Sequence, residues 1–172
     1  MAVTEAARLG NRAACVELLN ETQAVCERLP ATTPSRFSTE SAEHIAHTAD
    51  TWAASCYAAL GDWRPTEQHA RTAARTIGRW SPGQAAYAHL ELGLALVNLG
   101  LPDEAAQQGM QALALGRSYG NMLPKARMLD VALRSRYPKV PEVGEFRARY
   151  EALACAQLPP DRPSQHLRSA IG

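Results

Sequence analysis

The tightest constraint on what this chain can fold into is a short string that returns. Tyr57-Ala58-Ala59-Leu60-Gly61 is matched by Leu96-Val97-Asn98-Leu99-Gly100, with Gly100 following Gly61 by 39 positions. The same offset carries Ala54 onto Gly93, Thr66 onto Ala105, Ala70 onto Gly109 and Ala73 onto Ala112. It also carries Leu90-Glu91-Leu92-Gly93-Leu94 onto Leu129-Asp130-Val131-Ala132-Leu133. In the last unit the turn is one residue longer, so Ala112-Leu113 falls on Ala152-Leu153 at an offset of 40. Two helices approach closely only where side chains are short, and a repeat reuses that contact in every unit. The pattern predicts about three helical hairpins preceded by one extra helix, an all-α fold.

Helix breakers divide the chain accordingly. A first helix is expected from Val3 to Arg28, ended by the Leu29-Pro30-Ala31-Thr32-Thr33-Pro34 stretch, because proline restricts the residue before it. A second runs from about Thr39 to Leu60, capped by Ser38 and closed by Gly61. A third runs from near Pro65 to Ile77, and Gly78 through Gly83 breaks the chain again. Ser81-Pro82-Gly83-Gln84 then has the form of a capping box with proline at the first helical position, opening a fourth helix that Gly100 stops. The fifth starts at Pro102, with Asp103 and Glu104 in its first turn and Arg117 in its last, each the favourable sign for the helix dipole. The sixth spans Pro124 to Tyr137 and the seventh Glu142 to Leu158, followed by a polar tail. Alanine dominates the composition, aromatic residues are 6%, and β-branched runs are absent, which suits helices throughout. Residues 1–158 are expected to form a single domain, with 159–172 a flexible tail.

These residues resemble tetratricopeptide repeats. That family places a small residue and then an aromatic in the first helix, glycine at the turn and alanines in the second helix. Ala54, Tyr57, Gly61, Ala70 and Ala73 fit one unit; Gly93, Gly100, Ala105 and Ala112 fit the next. Thr66 stands where alanine is usual and Leu96 where the aromatic is usual, and the third unit has neither turn glycine nor aromatic. The resemblance implies a right-handed solenoid whose first helices line a concave face. A narrower resemblance, carried by Leu92–Leu96, Gly100–Ala106, Ala112–Arg117, Leu129–Leu133, Arg136-Tyr137-Pro138 and Pro141-Glu142-Val143, is to the C-terminal sensor region of actinobacterial helix-turn-helix transcriptional regulators. In that family a small DNA-binding domain precedes repeats that sense a peptide, a small molecule or a partner. No recognisable helix-turn-helix precedes the repeats in this sequence, so direct nucleic-acid binding by this chain is not expected.

The fourth helix is apolar nearly all round: Ala88, Leu90, Leu92, Leu94, Ala95, Leu96, Val97 and Leu99. A helix of that kind is buried on more than one side, and the plain expectation is a central core helix. A sharper expectation divides it. Leu92 and Leu96 pack within the repeat, while Leu90 and Leu94 face a groove with Leu129 and Leu133 from the sixth helix, and Thr51 and Ser55 take the matching positions in the second. That platform would suit an amphipathic segment. Glu91 and Asp130, at the same offset, would hold a basic group, or would simply be solvated, with Asp130 paired to Arg134 one turn on. Tyr87 and Asn98 would sit on the rim.

His44 and His47 share a helix face with Glu40, Glu43 and Asp50 nearby, but no ligand at established spacing completes a metal site. His69, His89 and His166 show no constellation. There is no GxSxG, phosphate loop or dinucleotide fingerprint, so neither an enzyme nor a cofactor is expected. Cys15, Cys26, Cys56 and Cys155 form no CxxC pair and are expected to be reduced and inert. The formal net charge is +1 with both signs interspersed, no stretch is long and apolar enough to span a membrane, and the N-terminus lacks a signal-peptide pattern. Together these point to a cytoplasmic adaptor or regulatory module that binds a peptide or protein partner. The rival expectations are a homodimer sealed through the apolar stripe of the fourth and sixth helices, and a small helical enzyme or ligand-binding protein of a biosynthetic pathway.

Overall fold

The computed structural model describes residues 6–7, 9–28, 42–76, 81–115 and 122–157, with only the backbone for 42–48. Among these residues the chain is all-helical: α1 (Arg12–Arg28), α2 (Ala42–Ala59), α3 (Trp63–Thr76), α4 (Pro82–Leu99), α5 (Pro102–Leu115), α6 (Met122–Arg136) and α7 (Pro141–Gln157). None of them is long and apolar enough to cross a membrane.

The α2–α3 and α4–α5 turns are built alike. Gly61 and Gly100 both adopt left-handed backbone, with φ of 75° and 83°. At the first, Gly61 N–H donates to Ala58 O and Asp62 N–H to Tyr57 O; at the second, Gly100 N–H donates to Val97 O and Leu101 N–H to Leu96 O. This pair of bonds satisfies carbonyls that the helix end leaves open, and a side chain at the glycine would have to adopt a conformation L-residues disfavour. The turn between α6 and α7 has no glycine and is closed by Tyr137 N–H on Leu133 O and Val140 N–H on Tyr137 O. Ser81 is extended, and its hydroxyl oxygen accepts from Gln84 N–H at 3.3 Å, which is the forward half of the expected capping box.

The expected first helix is not continuous. Gly10 is left-handed at φ 68°, and Asn11 caps a new helix by accepting from Ala14 N–H at 3.1 Å, so α1 begins at Arg12. The Gly10-Asn11 pair carries the signal for that break. The third helix starts two residues earlier than Pro65 suggests and the sixth two earlier than Pro124, since a proline within the first turn removes only an N–H that has no helical partner. Ser38, Thr39, Ile77, Arg117, Leu158 and the tail lie outside the described residues.

Each helix packs on the next from α1 to α7, and helices two apart also touch: α2 with α4, α4 with α6, and α5 with α7. α4 therefore has α2, α3, α5 and α6 around it. That explains why Leu90, Leu92, Ala95, Leu96 and Val97 are all buried though they point in several directions. The main core joins α4 to Leu129 and Leu133 of α6 and to Phe146 of α7. A second cluster, with Cys15, Leu19, Ala53 and Cys56, seats α1 on α2. Small residues set the seams. A β-carbon added to Gly109 would come within 2.6 Å of the Phe146 ring, and one added to Gly93 within 2.9 Å of Leu129 and 3.2 Å of the Ala105 carbonyl oxygen. Thr66, in place of alanine, is fully buried because its hydroxyl donates to Asp62 O at 2.8 Å.

Candidate functional site

The capped start of α4 places Gly83, Gln84, Tyr87 and Glu91 on one helical face, since positions three and four apart are neighbours there. Thr51, Trp52 and Ser55 come to that face from α2, and Met122 and Lys125 from the first turns of α6. Between the three helices lies a cavity of about 410 Å³, walled by Thr51, Trp52, Ser55, Gln84, Tyr87 and Met122 together with Ser81 and Gly83. This is the size range of small-ligand pockets. Trp52 is 61% exposed, an unusual state for so large an apolar side chain, and it stands at the wall of this recess.

Behind the wall, Glu91 is 1% exposed. Its Oε1 accepts from Ser55 Oγ at 2.9 Å and from Lys125 Nζ, with which it forms an ion pair. Lys125 Nζ also donates to Tyr87 Oη at 2.9 Å and lies 4.0 Å from the centre of that ring. A buried ion pair survives only where further hydrogen bonds satisfy it, and Ser55 and Tyr87 supply them here. Glu91 Oε2 and Thr51 Oγ1 are buried without a partner.

The structure divides the residues singled out in the sequence. Thr51, Ser55 and Tyr87 come together in the recess, with Glu91 just behind them. Leu90, Leu129 and Leu133 are 0% exposed and Leu94 is half-buried against the same core. Leu90, Leu129 and Leu133 of the expected platform are therefore core, and Leu94 keeps part of its surface exposed. Leu129 of α6 lies against Gly93 of α4 and Gly109 of α5. Glu91 holds a basic group, but that group is the chain's own Lys125 rather than a ligand. Asp130 pairs with Arg134 one turn on, its Oδ2 accepting from Nε at 2.9 Å; the carboxylate is buried while the guanidinium stands exposed. Asn98 lies well along α4 from the recess, donating to Leu94 O and accepting from Arg136 at 2.8 Å.

Trp52, Gln84, Met122 and Lys125 were not legible as site residues. Trp52 had one signal, since the 39-residue offset carries it onto Glu91 and then Asp130. Lys125 had none, because it meets Glu91 from 34 positions away and only packing brings them together.

His69 does have a partner: its Nδ1 is 2.9 Å from Asp50 Oδ1, and the Tyr57 ring stacks on it at 5.6 Å. The pair faces a smaller cleft of about 160 Å³ between α1 and α2. Its counterpart one repeat later is His89 Nδ1 at 2.7 Å from Gln108 Oε1, so the same contact ties the two helices of the α2–α3 and α4–α5 hairpins with different chemistry. That recurrence marks it as a structural clip. Cys15, Cys26, Cys56 and Cys155 are all free thiols. Burial, with Cys15 beside it, pushes Cys56 up to about 11. The side chains of His44 and His47 lie outside the described residues.

Comparisons with known protein families, with curated proteins and with solved structures found no match to this chain.

Proposed function

We propose that this chain is a non-catalytic regulatory or adaptor module, a tetratricopeptide-like array of helical hairpins. The recess between α2, α4 and α6 receives a peptide or protein segment in the service of transcriptional or signalling control. The observation that carries this reading is the recess itself: about 410 Å³, walled by helices of three successive hairpins, with Trp52 largely exposed and a buried Thr51 hydroxyl unspent beside it. An aromatic side chain held in the open next to unsatisfied polar atoms is the usual composition of a recognition surface. The array itself is supported by three features that return from one unit to the next: the left-handed turn glycines Gly61 and Gly100, the Asp50–His69 and His89–Gln108 clips, and the packing of α2 on α4 and of α4 on α6.

The test is to purify the full chain and a Trp52→Ala variant from the native host and to identify stoichiometric co-eluting molecules by mass spectrometry. A peptide or protein that accompanies the parent and is lost from a still-folded variant supports the reading. A partner retained by the variant places recognition elsewhere on the molecule, and a bound small molecule in place of a peptide overturns the class of ligand.

A further inference from the structure

The hydrogen bonds around the recess have a fixed direction, and that direction selects a ligand. An ammonium has three N–H groups and no lone pair, so in the Lys125–Tyr87 contact at 2.9 Å the phenolic oxygen must accept. An ionised carboxylate only accepts, so Ser55 Oγ spends its proton on Glu91 Oε1, as Lys125 does. The Ser55 proton is thereby used, while the Tyr87 O–H proton is not. Tyr87 stands in the recess wall, and an oxygen that accepts from a cation makes its own O–H a stronger donor. Thr51 adds a second hydroxyl, 94% buried by its 6% exposure, in the same wall and without a partner. The recess thus offers donors. The acid close to it holds Lys125 and Ser55 on Oε1, keeps Oε2 buried, and does not itself line the wall.

Resting on the binding role proposed above, we infer that the recess takes a neutral residue of a peptide, with a flat or branched apolar side chain against Trp52 and its main-chain carbonyl oxygen on Tyr87 Oη, and that it excludes basic side chains. A cation would normally seek an aromatic face and a carboxylate. Here Lys125 already lies 4.0 Å from the centre of the Tyr87 ring and holds Glu91 Oε1, so a guanidinium or ammonium entering at that wall meets a like charge. Lys125 acts as a built-in competitor. It converts a site that its Glu91 would make cation-selective into one that reads an acceptor.

The experiment uses two matched probes, N-acetyl-L-phenylalaninamide and N-acetyl-L-lysinamide, which share the same carbonyls and differ only in side chain. Each is titrated into the isotope-labelled full chain while the amide signals of Thr51, Ser55 and Gln84 and the Trp52 indole signal are followed. The phenylalanine probe is expected to move these signals, and the lysine probe to bind at least about tenfold more weakly. Tyr87→Phe, which keeps the ring, is expected to weaken the phenylalanine probe about tenfold, the worth of one hydrogen bond from a polarised donor. Thr51→Val, of the same shape, provides a second variant that lowers affinity without disturbing packing, with the melting curve as control. A lysine probe that binds equally well or better overturns the inference while leaving the recess as a peptide site. So does a Tyr87→Phe variant with unchanged affinity. If neither probe moves any recess signal and the co-eluting partner also survives Trp52→Ala, the recess as a binding site falls along with the inference.

Discussion

Replacing Gly109 by alanine tests how the second and third hairpins close on each other. Within a helix this exchange is ordinarily stabilising by about 0.8–1.0 kcal/mol, because alanine loses less backbone entropy. Here the added methyl would lie 2.6 and 2.7 Å from two ring carbons of Phe146 and 3.0 Å from Leu129 Cδ2. Both neighbours are fully buried, so neither can swing into solvent, and the ring moves only as a rigid body. Overpacking of this kind costs about 1–3 kcal/mol, and three close atoms place this case near the upper end. After the propensity gain is subtracted the net loss is about 1–2 kcal/mol, a fall in melting temperature of roughly 3–8 °C for a chain of this size. Gly144→Ala is the matched control. It too is a helical glycine, in α7, but a methyl there meets nothing within 4 Å, so it should gain about 0.5–1 kcal/mol. Urea melts of both variants and of Gly109→Ala combined with Phe146→Leu measure the difference. If Gly109→Ala is as stable as the parent, or if shortening Phe146 restores nothing, the close approach of α5 and α7 is not what requires glycine.

Three further outcomes are expected. Leu90→Glu places a carboxylate at a position with no exposure, and the cooperative melt should be lost, since the cost rivals a domain's whole stability; a normal melt would return Leu90 to an open groove. Lys125→Met strands Glu91 in the interior and should cost about 3–5 kcal/mol, whereas Glu91→Met with Lys125→Met should recover most of it, as read from urea midpoints; equal stability of the single variant and the parent would mean the pair is hydrated. Cys56, raised from 9.0 to about 11 by burial, holds its proton more tightly folded than unfolded, so its contribution is intact below pH 9 and is lost as pH rises toward 11. Between pH 8 and 10.5 the parent should lose more stability than Cys56→Ala, and equal losses would show that the thiol titrates normally.

What the sequence determined by itself is local or periodic. Gly61 and Gly100 end helices because the left-handed turn needs no partner from elsewhere in the chain, and Ser81-Pro82 starts one for the same reason. The 39-residue offset placed the small residues Gly93, Gly109 and Ala112 at seams, because a repeated close contact leaves a repeated gap in side-chain size. The apolar circumference of α4 announced a central helix. Periodicity reports how many faces of a helix are apolar, but not which neighbour covers each. Only the tertiary structure decided that Leu90, Leu129 and Leu133 close on one another inside the core while Trp52, in register with Glu91, stands in the open. Charge partners across hairpins are equally invisible along the chain. Glu91 and Lys125 sit on separate helices, and their pairing exists only because α4 and α6 pack side by side, leaving the recess, its donors and its polarity as products of that packing.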